Sequence, residues 1–122
     1  MNKNKCYLFV YGTLMRGLSN HKYLKNEKFI CQTEILDFEL YNVTNEYPGI
    51  IKKENSKVQG ELYQINRQIL EDLDKLEGDE YKRIEVNLIT KEDRMKAFTY
   101  LWTESVNNKE YISYEKQPWR KK

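Results

Sequence analysis

"CYLFVYGTLMRGLSNH", Cys6 to His21, is the stretch on which the reading of this chain turns. Its first six residues, Cys6 to Tyr11, form a continuous apolar run, the pattern of a strand covered on both faces. Gly12, Thr13, Arg16 and Gly17 then break the run. A tight hairpin needs only two special residues, so the break is longer than a reversal of direction requires. Two readings are open. In one, the glycines simply permit a turn. In the other, successive main-chain amides around Gly12 and Thr13 form a nest for a carboxylate or an oxyanion, with Gly letting the backbone approach a ligand closely. The Gly-x4-Gly spacing is not a phosphate loop, because Leu18-Ser19 stands where Lys and Ser or Thr are needed.

Around this stretch the strand signals dominate. "DFELYNV" (Asp37 to Val43) alternates, and "KVQGELYQI" (Lys57 to Ile65) carries Gly60 at its centre, which marks a bulge or a close backbone approach. "RIEVNLI" (Arg83 to Ile89) sets Ile84, Val86 and Leu88 on one face at period two. "MKAFTYLW" (Met95 to Trp102) groups Phe98, Tyr100 and Trp102, and the charged "TKED" before it reads as a hairpin connection. "EYPGI" (Glu46 to Ile50) reads as a turn in which Pro fixes φ and Gly takes positive φ.

One helix is clear in "NRQILEDLDKLEG": Asn66 is the N-cap, Gly78 the stop, and Ile69, Leu70, Leu73 and Leu76 the apolar arc. A shorter helix is expected at "HKYLKN", capped by Ser19 or Asn20. Many strands and few helices give an α+β fold, a small closed or half-closed β-barrel with helices packed outside. With 122 residues, no repeat and no linker, the chain is expected to form a single domain over 1–122. The tail at 103–122 supports no assignment.

Charge and composition exclude several functions. Hydrophobic residues are 39%, charged residues 33% and the net charge +2, with both signs interspersed rather than gathered in the basic stripe of a nucleic-acid binder. Only "WRKK" at the end is locally basic, and a solvated terminus explains it equally well. No apolar run approaches the roughly 18 residues of a membrane span. Cys6, Cys31 and the single His21 have no metal-ligand spacing, so no metal is expected. A Cys–His pair formed with His21 is left open, although Cys6 sits in a strand run. The N-terminus has no signal-peptide core, which makes the cytoplasm the expected compartment.

The most informative side chain is Glu77. At about 100° per residue it falls between Leu70 and Leu73 on the wheel, while Glu71, Asp72 and Lys75 face the opposite side. An acid on the apolar arc, in the last helical turn, has its charged form disfavoured by burial and by the negative end of the helix dipole. It either swings out to water, to pair with Lys82 or Arg83, or serves as a base tuned towards neutrality. An α-ammonium titrates near 8 and an ordinary Glu near 4.3, a gap of roughly 5 kcal/mol, and a two-unit rise would remove about half of it.

Taken in order, "VYGTLMRGLSNH", "YPGI", "VQGELYQI", "LDKLEGDEYKR" and "AFTYLW" resemble the gamma-glutamylcyclotransferase-like proteins. The likeness runs roughly over 6–102 and is greatest to the short bacterial and gamma-glutamylamine branches, where the opening motif also continues to a pair like Asn20-His21. The resemblance implies a small mixed β-barrel flanked by helices, no cofactor, and release of 5-oxoproline from a small-molecule γ-glutamyl amide. It implies that Tyr11, Gly12, Thr13 and Leu14 hold the glutamyl moiety through main-chain amides and that Glu77 is the catalytic acid/base. Tyr100 matches a pocket tyrosine and is equally readable as aromatic core. Tyr81 and Arg83 are placed as residues that line or brace the site. The rival functions are a non-catalytic binder of γ-glutamyl groups or other small acids with the same pocket and a small-barrel nucleic-acid binder. The near-balanced charge opposes the second. Neither the particular γ-glutamyl amide nor an oligomeric state is indicated.

Overall fold

The computed structural model describes residues 4–89 and 94–121. Six strands form one mixed sheet: β1 (Lys5–Val10), β2 (Lys28–Asn42), β3 (Pro48–Asn66), β4 (Tyr81–Ile89), β5 (Arg94–Trp102) and β6 (Tyr111–Ile112). Their order is β4-β5-β1-β3-β2-β6. Among the described residues only the β1–β5 pairing is parallel; the others are antiparallel. The outer edge of β4 faces the bend of β2 across a groove lined by Leu36, Phe38, Lys52 and Val86. The sheet therefore curls into a half-barrel, the less closed of the two forms expected from the sequence.

The curl comes from β2 and β3, which are far longer than common strands. Their pairing is regular except between Phe29 and Cys31 and between Leu36 and Phe38. At the second irregularity Asp37 and Asn55 both take left-handed backbone, φ 71 and 70, and the Asp37 carboxylate accepts the Asn55 amide at 3.0 Å. Bulges of this kind sharpen twist and bend a sheet. Inside the curl, Leu8, Leu40, Ile50, Val58, Leu62, Ile65 and Leu73 are fully buried.

Three expectations from the sequence are corrected here. "EYPGI" is not wholly a turn: the reversal ends at Tyr47, and Pro48 opens β3, where a missing N–H is tolerated. Gly49 has no positive φ; it is required because a Cβ there would stand 2.8 Å from that of Trp102. The end of the chain is not simply solvated. Trp119 is 1% exposed, its indole N–H donates to Asn42 at 2.7 Å, and β6 adds to the edge of β2. The "TKED" connection lies outside the described residues.

Gly60 has a regular partner, Thr33, so it marks a close approach and not a bulge. The principal helix, α1 (Leu70–Glu77), is entered through a 3-10 turn capped by the Asn66 side chain, which accepts from the Gln68 amide. Gly78, at φ 83, ends it. The shorter helix at His21–Leu24 is also 3-10, and Asn20 does not cap it with its side chain.

Candidate active site

Strand β1 ends against β5. The Thr99 hydroxyl donates to the Phe9 carbonyl at 2.9 Å, and the Tyr11 hydroxyl donates to the Tyr100 carbonyl at 2.7 Å. Beyond that seam the chain leaves the sheet as the loop Gly12–Asn20. A cleft opens there, bounded by Tyr11, Gly12, Thr13 and Leu14 on the loop side, Tyr47 and Pro48 on another, and Glu77 with Tyr100 opposite. Thus the end of α1, the end of β5 and the broken first strand share one cleft. Its free volume is about 20 Å³, room for a single water.

Gly12 is fixed by packing: a Cβ there would lie 2.9 Å from the Pro48 ring. Among the described residues, the amides of Gly12, Thr13 and Leu14 donate to no acceptor in the protein. Three successive unspent N–H groups are uncommon and suit a ligand that carries negative oxygens.

Glu77 is partly buried as a residue and lines the cleft. Among the described residues its carboxylate has no hydrogen bond and no ion pair. Burial pushes its pKa from 4.5 up to about 7. The same carboxylate acts on three neighbouring phenols. Tyr11, Tyr81 and Tyr100 all titrate above their usual range, through burial first and then, in part, through Glu77.

The surrounding groups are braces. The Tyr100 hydroxyl donates to Asp74 at 2.6 Å, and Arg83 pairs with the same carboxylate at 3.1 Å. Arg83 therefore lies one helical turn from Glu77's place and engages Asp74 instead. Tyr81 does not line the cleft; its hydroxyl donates to the Pro48 carbonyl at 2.6 Å and its ring packs edge-on against Trp102. Asp74, which ties Tyr100 and Arg83 together beside the cleft, is the neighbour that the sequence reading missed. Its signal was available, since it sits about 60° from Glu77 on the wheel, at i−3. Replacing Tyr100 by Phe removes a charge-assisted bond to a half-exposed acid and is expected to cost about 1 kcal/mol in urea unfolding.

His21 binds the Leu14 carbonyl through Nδ1 at 3.0 Å. Cys6, which burial pushes up in pKa, and Cys31 are free thiols, and neither is hydrogen-bonded to His21. Among the described residues no group of His, Cys, Asp and Glu could hold a metal ion, and no helix is long and apolar enough to cross a membrane.

A curled mixed sheet of half-barrel type thus brings free main-chain amides and one unpaired acid to a narrow cleft. The chain belongs to the family described as "Gamma-glutamyl cyclotransferase, AIG2-like", whose model matches residues 8–121. It is similar to the gamma-L-glutamyl-butirosin B gamma-glutamyl cyclotransferase of Niallia circulans, with 33% identity over 122 residues, 93% of this chain and 74% of that one. It is similar in structure to a protein of Pyrococcus horikoshii, with 30% identity, coverage of 88% and 86%, and a TM-score of 0.74. An AIG2-like protein of Mus musculus aligns with 26% identity, coverage of 84% and 80%, and a TM-score of 0.73.

Proposed function

We propose that the protein releases 5-oxoproline from a small γ-glutamyl amide by intramolecular attack of the substrate's own α-amine, with Glu77 as general base and then general acid. The observation that carries this reading is the unpaired Glu77 carboxyl sharing a cleft with the free amides of Gly12, Thr13 and Leu14. Holding a pre-folded glutamyl group is most of the task, because nucleophile and electrophile are in one molecule.

Glu77 accepts a proton from the α-ammonium. The freed amine attacks the δ-carbonyl carbon and forms the ring C–N bond, while the loop amides receive the developing oxyanion. As the tetrahedral centre collapses, the original amide C–N bond breaks and protonated Glu77 donates to the departing amine. With Glu77 at about 7 and an α-ammonium near 8, the transfer is uphill by only about 1.4 kcal/mol, against roughly 5 for an ordinary Glu.

The reading is supported by family membership and by the name of the Niallia circulans relative, which specifies a gamma-L-glutamyl compound. A purely binding role for a carboxylate that lacks an ammonium group is disfavoured by Glu77 itself, since an unpaired acid repels such a ligand. The test is a panel of γ-glutamyl amides incubated with purified protein and assayed for 5-oxoproline. Turnover of at least one is expected, and silence across the panel favours the binder.

A pH profile adds a second check. Because Glu77 must start as the carboxylate, kcat/KM is expected to rise with pH through a midpoint near 7. A rising limb centred near 4.5 would show that the acid is not the tuned group.

A further inference from the structure

The loop that supplies the free amides is bonded asymmetrically. The carbonyls of Gly12, Thr13 and Leu14 are all occupied, by the Met15 amide at 3.0 Å, the Asn20 amide at 2.9 Å and the His21 ring at 3.0 Å. A carbonyl only accepts, so His21 carries its proton on Nδ1. The Asn20 side chain also donates to the Thr13 hydroxyl at 2.9 Å.

Each peptide unit is planar and trans, so its C=O and the following N–H point in opposite directions. His21 sets the Leu14–Met15 unit, whose N–H closes the turn onto the Gly12 carbonyl. That bond in turn sets the Gly12–Thr13 unit and leaves the Thr13 N–H on the far side. Asn20 does the same for the Thr13–Leu14 unit.

Behind the loop stands a buried anchor. Glu61 is 6% exposed, and its carboxylate accepts the Arg16 amide at 2.9 Å, Arg16 Nε at 3.3 Å and the Tyr63 hydroxyl at 2.9 Å. The Tyr63 ring packs 6.0 Å from that of His21, and Arg16 lies 3.9 Å over Phe29. A carboxylate this deep is tolerated only when its lone pairs are taken up. Here they are, and the Met15–Arg16 unit is fixed as a result.

We propose that His21 and Glu61 are positioning residues, which pin the carbonyl side of the 12–16 loop so that the Thr13 and Leu14 amides are presented, beside that of Gly12, to a carboxylate-bearing ligand. The proposal rests on the reading of this loop as the ligand site and is independent of Glu77.

The experiment follows the backbone amide resonances of ¹⁵N-labelled protein during titration with L-glutamate. In the wild type, Gly12, Thr13 and Leu14 are expected to shift saturably. His21→Ala is expected to weaken binding by about tenfold or more, the scale of a misaligned hydrogen-bond set. His21→Asn, whose side-chain amide N takes the place of Nδ1, is expected to restore it to within about threefold. Glu61→Gln, which keeps an acceptor for the Arg16 amide, is expected to fall between them.

A merely structural role would reduce the folded fraction while leaving the dissociation constant of the folded molecules unchanged. That result, equal binding by His21→Ala, or no shift of the three amides in the wild type would overturn the proposal. Silence in the 5-oxoproline panel together with intact amide shifts would remove the enzyme and leave the pinned loop standing.

Discussion

Glu77→Gln is expected to lower 5-oxoproline release by at least about a hundredfold, the usual scale for a lost acid–base group, and also to stabilise the fold above neutral pH. Both effects follow from one feature. The carboxyl lies in a narrow cleft without a partner among the described residues, and burial moves its pKa from 4.5 to about 7. Between those values the folded protein binds a proton that the unfolded chain has released, so stability falls as pH rises through that window. Above it the charged acid costs about 3 kcal/mol. Glutamine has the same shape and no charge, so most of that cost is expected to be recovered at pH 8 and very little near pH 4.5. Urea titrations at the two pH values measure the difference. A variant that loses activity and loses stability at pH 8 would mean that Glu77 is held by bonds and not merely buried.

Gly60→Ala is expected to prevent stable folding. A Cβ at this position would stand 2.2 Å from the Val10 carbonyl oxygen and 2.6 Å from the Phe9 ring. Neither neighbour can yield, because Phe9 and Val10 are paired with Leu62 and Glu61 across the same two strands. Overpacking alone costs about 1–3 kcal/mol, and a clash with backbone adds to it, against a total stability of about 5–15 kcal/mol for an ordinary domain. The expected result is insoluble protein or a melting temperature lowered by more than about 10 °C. A variant that melts within a few degrees of wild type would show that β1 and β3 do not approach as closely as described.

Local features were legible in the sequence. The break after Tyr11, the alternation of β4 and β5, the Asn66 cap and the Gly78 stop each depend on a few neighbouring residues. So does the placement of Glu77 between Leu70 and Leu73, which needs only helical geometry. What could not be read depends on partners far along the chain. Pro48-Gly49 has the composition of a turn, yet Gly49 is needed because Trp102 lies against it. Residues 28–36 and 48–56 extend β2 and β3, but their exposed charged positions dilute the alternation that would mark them as strands. Trp119 becomes core only because Asn42 receives its indole N–H. Glu61 looks like the polar side of an alternating strand, and its ties to Arg16 cross 45 residues. For the site, the sequence brought forward Glu77 and the loop but not Asp74, whose place beside Glu77 on the helix was readable, or Glu61, which acts by bonding to residues far along the chain.

The most direct measurement is the titration of the Glu77 side-chain carboxyl carbon by NMR in ¹³C-labelled protein, assigned with Glu77→Gln. A midpoint near 7, matching the rising limb of the kcat/KM profile, is the expected result. A midpoint near 4.5, with no change when a γ-glutamyl amide is added, would contradict the assignment of this acid as the group that moves the proton.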